Sequence, residues 1–253
     1  MDELKKILKL TAGTGEELIA CGAEISRVED TMNRIALHYG ATKRQIFIIS
    51  NGVFVNLEMG DDAKNISIRY IQDQSVDLTK LCELNGLSRS IEQDDLSLQE
   101  ALDRFHTIKY GKRKYSKGLS VAASAVGAAA FCFLMGGNLL DCVGSLAGGF
   151  GAWLFLLLVE PLHLSKVLVN IVGSLVATLC CGFVVMTGII AHPDTAVIGS
   201  VVPLIPGVAF TNGIRDIADG DYISGLVRLV DALLVFICIA AGVCIGLRLL
   251  GVR

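Results

Sequence analysis

The chain changes character near residue 118, where charged sequence gives way to long apolar runs. Of its charged residues, 35 lie in the first 118 positions (17 basic, 18 acidic), and 12 are spread over the remaining 135. No water satisfies backbone polar groups inside a bilayer, so segments that cross it fold as helices or closed barrels. Apolar runs of about 20 residues match the ~30 Å hydrocarbon core as helices. The sequence therefore predicts an α-helical membrane protein preceded by a small soluble domain.

Residues 1–117 are predicted to form a cytoplasmic α+β domain, and residues 118–253 a transmembrane domain of about five helices. The predicted spans cover residues 118–137, 139–159, 166–190, 195–214 and 222–250. An arrangement of four spans, without the short fourth one, stays open. We therefore expect a multi-pass protein of the plasma (inner) membrane, with the lipid bilayer as a partner.

A basic cluster directly before the first span sets the expected orientation. Lysines and arginines next to a span stay on the cytoplasmic side. The first ten residues lack the continuous apolar core of a cleavable signal, so the amino terminus is expected in the cytoplasm. Five spans then place the carboxyl terminus outside. The cluster comprises Lys112, Arg113, Lys114 and Lys117.

The sequence of the soluble part predicts both helices and strands. Apolar spacing predicts two helices between Leu4 and Tyr39 with a break near Cys21, and Asn51-Gly52 is a strong hairpin signal. The other predicted elements are strands at 45–50, 53–58 and 65–71 and helices at 76–84 and 98–110. Capping boxes are predicted at Ser26/Glu29 and Ser97/Glu100, and glycine helix ends at Gly40 and Gly86.

No catalytic, metal or nucleic-acid pattern stands out. The eight cysteines include no Cys-x-x-Cys or Cys/His metal spacing and are predicted to act as small hydrophobes. There is no phosphate-binding glycine loop and no nucleophile elbow, so neither an enzyme nor a cofactor is expected. The nearly balanced charges of the soluble part argue against nucleic acid as a partner.

The fourth and fifth spans carry charge where apolar sequence is expected. Pro203, Pro206 and Gly207 lie about 12 residues into the fourth span and predict a broken helix, which transporters use to point half-helix ends at a substrate. Arg215 and Asp219, four residues apart, are expected to pair at a cytoplasmic mouth. A packing kink and an ordinary charged loop are the alternatives.

One stripe of the fifth span leads inward to a carboxylate. Asp221, Gly225, Arg228 and Asp231 follow helical spacing, and counting from Tyr222 places Asp231 ~14 Å deep. Charges at such depth cost roughly 2.5–3.5 kcal/mol and usually pair or mark a pathway. We expect Arg228 to neutralise Asp231 and Asp231 to act on substrate or coupling ion; a purely structural ion pair is the alternative.

Two motifs resemble the threonine/serine exporter family. They are the amino-terminal motif Gly22-Ala-Glu-Ile-Ser-Arg-Val-Glu-Asp-Thr-Met32 and the membrane motif, which reads from Leu204 through Pro206-Gly207 to Asp221 and continues over Ser224–Arg228. Their order and the succession of soluble domain and spans make the resemblance cover nearly the whole chain. One departure is Ala20-Cys21, where many relatives read Glu-Ser.

The resemblance implies a subunit of a secondary-active exporter of small polar metabolites, threonine and serine or succinate-type dicarboxylates. Relatives in a single chain carry about ten spans, so a smaller all-membrane partner subunit is implied, and a homo-oligomer stays open. For the substrate and ion pathway, the residues that match the membrane motif of the family are Pro206, Gly207, Asn212, Arg215, Asp216, Gly220, Asp221 and Arg228. Asp219 and Asp231 join the predicted pathway on their charge and spacing alone. The implied amino-terminal site comprises Gly22, Glu24, Arg27, Glu29 and Asp30.

Two functional classes compete at this point. In the first, an ion gradient drives export, with Arg215 or Arg228 holding a substrate carboxylate and Asp231 or Asp221 handling the coupling charge. In the second, the spans only anchor an enzyme or sensor whose soluble domain is active. Charged residues Glu24 to Arg34 on the second helix are accordingly either a binding surface or a solvated face with local ion pairs.

Overall fold

A computed structural model describes residues 3–60, 63–71, 75–111, 115–162 and 164–251 of the chain. The basic cluster at 112–114, used above for orientation, lies outside the described residues. The chain forms two compact units, each made of two segments. The first unit comprises Met1–Lys112 with Val208–Val230, and the second comprises Arg113–Gly207 with Asp231–Arg253. The membrane motif thus folds largely with the amino-terminal residues.

The first unit packs helices on one face of a three-stranded antiparallel sheet, ordered β1-β2-β3. Its core lies between α1 and the inner sheet face, where Val53, Val55 and Leu57 are buried, and α2 adds Met32 and Ile35. Burial of each such side chain stabilises the folded state by roughly 1.5–3 kcal/mol. The elements are α1 (Glu3–Ala20), α2 (Ile25–His38), β1 (Lys43–Ile49), β2 (Gly52–Met59), β3 (Ala63–Tyr70), α3 (Leu78–Gln93) and α4 (Leu98–Tyr110).

Most of the predicted soluble elements are present, with three differences. The hairpin turn lies one residue earlier than expected, because Gly52 already pairs with Ile49. Helix α3 was expected to end at Gly86 but continues to Gln93. It continues because Leu87 and Ile91, which follow Gly86, are buried. The Ser26/Glu29 capping box is absent, whereas that at Ser97/Glu100 is present.

The apolar helices belong mostly to the second unit, and α10 begins in the first. Among the described residues, four helices are long and apolar enough to cross a membrane, and a bent pair gives a fifth span if counted as one. The protein is therefore a multi-pass membrane protein with four or five candidate spans. The four are α5 (Lys117–Leu134), α6 (Leu139–Val159, extended by a 3₁₀ turn to Leu162), α7 (Lys166–Val185) and α10 (Tyr222–Leu249).

The predicted fourth span is broken as expected from its prolines. Helix α8 (Pro193–Val201) ends in a 3₁₀ turn at Val202–Leu204, Ile205 is extended, and α9 (Gly207–Ala218) begins after Pro206. Pro206 cannot donate a backbone hydrogen bond, and the residue before a proline is driven out of the helical region. The predicted single span 195–214 is therefore two helices.

Helix α7 ends at Val185 rather than at residue 190 because a buried carboxylate holds the following chain. Asp141, in the first turn of α6, accepts hydrogen bonds from the backbone nitrogens of Ala191 (2.8 Å) and His192 (3.1 Å). Its other oxygen lies 2.8 Å from Nδ1 of His192. Asp141 also completes a capping box with Asn138. This carboxylate thus joins the α5–α6 loop to the α7–α8 loop.

Small residues allow close helix packing in the second unit. A Cβ on Gly148 would collide with Ser200 and the carbonyl of Ala177, and one on Gly242 with Ser174 and the carbonyl of Ile171. Membrane helices associate through van der Waals contact, which such small residues maximise. Gly148 and Gly242 therefore serve close helix packing.

An ion network in the first unit ties α1 to α3 and α4. The side chain of Glu17 is 11% exposed, and its carboxylate lies 2.5 Å from Nζ of Lys80 and 2.8 Å from Nζ of Lys109. Burial by itself would raise the pKa of Glu17, but the two lysines outweigh it and lower that pKa from 4.5. Because the folded-state pKa is lowered, the stabilisation is present above about pH 4.5 and is lost as the pH falls.

We predict that Glu17→Gln lowers the free energy of unfolding at neutral pH by about 2 kcal/mol. This is less than the roughly 3–5 kcal/mol of a fully buried pair, because both lysines are partly exposed. Thermal unfolding of the purified full chain from pH 4 to pH 7 measures it, and the loss should shrink as the pH falls. The exposed Asp94→Asn is the control. A pH-independent loss would contradict the assignment.

Candidate functional site

The two motifs recognised in the sequence meet inside the first unit. The loop between α1 and α2, with the start of α2, carries the amino-terminal motif, and α9 with the first turns of α10 carries the membrane motif. About 190 residues of sequence separate the two segments. Their contacts form the candidate site.

Glycines bring α9 and α10 close enough to place the charged residues. Gly220, at φ +96°, makes the turn between them, and the nitrogen of Asp221 donates to the carbonyl of Asp216 at 2.8 Å. A Cβ on Gly225 would lie 2.7 Å from the carbonyl oxygen of Gly213. Larger residues would therefore separate the helices.

This close packing buries an ion pair between α9 and α10. Nη1 of Arg228 lies 3.0 Å from Oδ2 of Asp216, with the side chains 7% and 1% exposed. The two atoms are close without being aligned as a hydrogen bond. Burial of two charges is costly unless further hydrogen bonds satisfy them. Those hydrogen bonds come from the amino-terminal motif.

The buried pair fixes the start of α2. Oδ1 of Asp216 accepts from the backbone nitrogen of Ile25 (3.2 Å), and Nη2 of Arg228 donates to the carbonyl of Ala23 (2.9 Å). Asn212 adds a hydrogen bond from its Nδ2 to the carbonyl of Gly22 at 2.7 Å. Gly22 has φ +86°, a conformation that favours glycine. Asp216 thus caps α2 from a distant part of the chain.

The tertiary cap explains why the predicted capping box at Ser26 is absent. Glu24 occupies the N-cap position and makes no side-chain cap of its own. The hydroxyl of Ser26 instead donates to Oδ2 of Asp219 at 3.1 Å. A helix needs its first N–H groups satisfied, and a carboxylate on another element can do this as well as a local one.

A second, more exposed layer of charge surrounds the buried pair. Arg215 forms an ion pair with Oε1 of Glu24, and Nε of Arg27 lies 3.7 Å from Oε2 of the same carboxylate. The expected pairing of Arg215 with Asp219 is therefore wrong. Both side chains contact the amino-terminal motif instead, Arg215 through Glu24 and Asp219 through Ser26.

Asp231 does not pair with Arg228, which corrects the second expected pairing. Its Oδ2 lies 2.5 Å from Nζ of Lys166, and both side chains are more than half exposed. Lys166 is the first residue of α7, so the pair lies at the end of a candidate span. Helix α10, at about 42 Å, is also longer than the ~30 Å core. Depth counted from Tyr222 is thus overestimated, and a midplane position is not supported.

Some of the predicted site residues lie outside these contacts. Glu29 is exposed, and Asp30 forms a local ion pair with Arg34 at 3.2 Å, as expected for a solvated helix face. Pro206 and Gly207 form the helix break, and Asp221 precedes α10. Among the described residues, no three His, Cys, Asp or Glu side chains form a metal site.

Several residues of the site were not singled out from the sequence. The backbone groups of Ala23 and Ile25 carry no side-chain signal, so only the fold identifies them. Ser26 was assigned to a local cap because its spacing to Glu29 fits one. Lys166 gave a usable signal, since a lone cation at the start of an apolar run needs an anionic partner or water.

We predict that Asp216→Asn exposes the first turn of α2 to hydrogen exchange and destabilises the first unit by about 3 kcal/mol, because Arg228 is left buried without its counter-ion. Asp219→Asn, which loses one exposed hydrogen bond to Ser26, should cost less than about 1 kcal/mol. Hydrogen–deuterium exchange of the full chain in detergent, read at residues 25–28, measures both. Equal protection in the two variants would contradict the anchoring role of Asp216.

Known proteins resemble the chain over nearly its whole length. A Mycobacterium tuberculosis protein named "Probable threonine/serine exporter" is 27% identical over 251 residues, which is 96% of this chain and 46% of that protein. An Escherichia coli protein named "Probable succinate transporter subunit YjjP" is 22% identical over 253 residues, covering 100% of this chain and 98% of that protein. A Klebsiella aerogenes protein of the same name is 23% identical, over 99% and 96%.

The chain thus spans about half of the mycobacterial relative and nearly all of the two enterobacterial ones. No solved structure matches it. The family model for threonine/serine exporters (ThrE) matches residues 9–250, which include both motifs and every helix of the membrane motif. This chain therefore belongs to the threonine/serine exporter family.

Proposed function

We propose that the chain is a subunit of a secondary-active exporter that carries small polar metabolites across the plasma membrane. The observation that carries this proposal is the buried contact between the two motifs. Asp216 and Arg228, on α9 and α10, hold the backbone of the α1–α2 loop. A soluble domain that was only anchored to a membrane would need no such buried ions, which are costly to bury.

The proposed pathway uses the helix break before α9. At the break, Ile205 makes only short-range turn bonds: its nitrogen donates to the carbonyl of Val202, and its carbonyl accepts from the nitrogen of Gly207. Such irregular backbone is tolerated in a membrane only where it is buried in protein or lines a water-filled cavity. We assign Asp216, Arg228 and Asn212 to positioning, because their side chains bond to the backbone of the α1–α2 loop. Arg215, Asp219, Asp221 and Asp231 remain the proposed polar groups of the pathway.

The names of the relatives support two substrate classes, namely threonine with serine, and succinate. Both classes carry a carboxylate, which a cation such as Arg215 would attract. The sequence has no nucleotide-binding motif, so an ion gradient is the proposed energy source. The word "subunit" in the enterobacterial names supports a partner subunit, which we propose to be a smaller all-membrane chain. The proposed topology has a cytoplasmic amino terminus and, with five spans, an external carboxyl terminus.

The competing proposal, an anchored enzyme, gains no support from Cys21. Cys21 stands where many relatives carry a serine, and it is 4% exposed. Burial raises the pKa of its thiol to about 11. Since the thiolate is the nucleophile, such a cysteine is inert at neutral pH. The position supports a structural role at the end of α1.

We expect efflux from cells to require both this chain and its partner. Cells preloaded with labelled threonine, serine or succinate should lose label when both chains are expressed, and should retain it with either chain alone. Arg228→Met, which leaves Asp216 buried and unpaired, should reduce efflux at least ten-fold, while exposed Arg89→Gln should not. Efflux unchanged by the loss of Arg228 would contradict the proposal.

A second test concerns the coupling charge at Asp231. Asp231→Asn should abolish efflux with membrane levels unchanged, whereas Asp194→Asn should not. The exchange Lys166→Asp with Asp231→Lys keeps an ion pair but moves the carboxylate, so it should not restore efflux. Recovery in the exchanged variant would mean that Asp231 is only a structural partner of Lys166, and would overturn its coupling role.

A further inference from the structure

The first unit contains a cavity of about 150 Å³ between the α1–α2 loop, α3 and the start of α9. Its apolar wall includes Leu18, Leu81 and Val208. A cavity of this volume accommodates a compact molecule of about six to eight heavy atoms, since a similar engineered cavity binds benzene. The site could therefore hold a small metabolite.

Three polar side chains lining the cavity keep hydrogen-bonding capacity. Glu24 uses Oε1 for Arg215, and its Oε2 is 3.7 Å from Nε of Arg27, which is beyond hydrogen-bonding distance. Within the described part of the chain, neither the guanidinium of Arg27 nor the carboxamide of Asn85 forms a hydrogen bond. An anion, a cation and an amide are thus among the residues that line the cavity, with the side chain of Glu24 14% exposed and that of Arg27 69% exposed.

We propose that this cavity binds a small α-amino acid as a zwitterion. Its ammonium group would contact Oε2 of Glu24, and its carboxylate would accept hydrogen bonds from Arg27. Asn85 is available for a polar substituent such as a hydroxyl, and Leu18 and Leu81 provide a wall for aliphatic carbon. A dicarboxylate of similar size is disfavoured, because its second carboxylate would face Glu24.

A ligand in this cavity would stabilise the contact between the amino-terminal motif and the membrane motif. The lining comes from α3, from the start of α2 and from α9, so a bound ligand bridges elements that the Asp216–Arg228 pair already joins. A ligand that binds only this arrangement stabilises it by mass action. The choice of threonine and serine as ligands rests on the proposed export function. The cavity and the preference for a zwitterion are new.

The test is equilibrium binding of labelled threonine, serine and succinate to the purified full chain in detergent. We expect the wild type to bind the two amino acids and not succinate. Arg27→Gln should weaken threonine binding about ten-fold or more, the factor for one charge-assisted hydrogen bond. Arg89→Gln, an exposed cation on α3 away from the cavity, is the matched control and should bind as the wild type does.

Glu24→Gln supplies a readout that misfolding cannot produce. It should weaken threonine binding and allow succinate to bind, because the repelling carboxylate is gone. Succinate binding to the wild type as tight as that of threonine, or unchanged threonine binding by Arg27→Gln, would overturn the site. Binding lost in Arg27→Gln without efflux of any of the three compounds would support the site and overturn the exporter proposal. Efflux together with threonine binding that Arg27→Gln leaves unchanged would support the exporter proposal and overturn the site.

Discussion

The buried pair of Asp216 and Arg228 sets the structure of the first unit at the point where its two chain segments meet. Each charge has left water, and each recovers hydrogen bonds from backbone groups of the α1–α2 loop. The pair therefore cannot form without the loop, and α2 has no side-chain cap without the pair. Gly213 and Gly225 permit the close approach of α9 and α10 that this arrangement requires. The two motifs of the family are thus two halves of one structural element.

The second unit depends on a different physical effect. Its helices are mostly apolar on all sides, so hydrophobicity alone does not select which side of a helix is buried. Small residues determine which helix faces pack together. Gly148 against Ser200 and Gly242 against Ser174 are such contacts. A carboxylate acts at a helix end, where Asp141 accepts hydrogen bonds from the backbone of Ala191 and His192. Buried hydroxyls add hydrogen bonds between the helices, since Ser124 donates to the carbonyl of Gly149 at 3.1 Å and Ser145 donates to the carbonyl of Ala196 at 2.7 Å.

Much of the fold could be predicted because its signals are local. Apolar runs, the prolines before α9 and the Ser97/Glu100 capping box each act within a few residues, and the structure has the corresponding elements. The errors arose where a distant group replaced a local one. Ser26 fits a cap by spacing, yet Asp216 supplies the cap, and Gly86 would end a helix if Leu87 and Ile91 were not buried beyond it.

The sequence by itself determined that this is a multi-pass helical membrane protein of the threonine/serine exporter family, because hydropathy and motif spacing are properties of consecutive residues. Only the tertiary structure decided the partners of the charges. Arg228 pairs with Asp216 rather than with Asp231, and Arg215 pairs with Glu24 rather than with Asp219. The reason is physical: the buried pair needs the hydrogen bonds that the α1–α2 loop gives to both of its charges. About 190 residues of sequence separate that loop from α9, so local spacing does not reveal the contact.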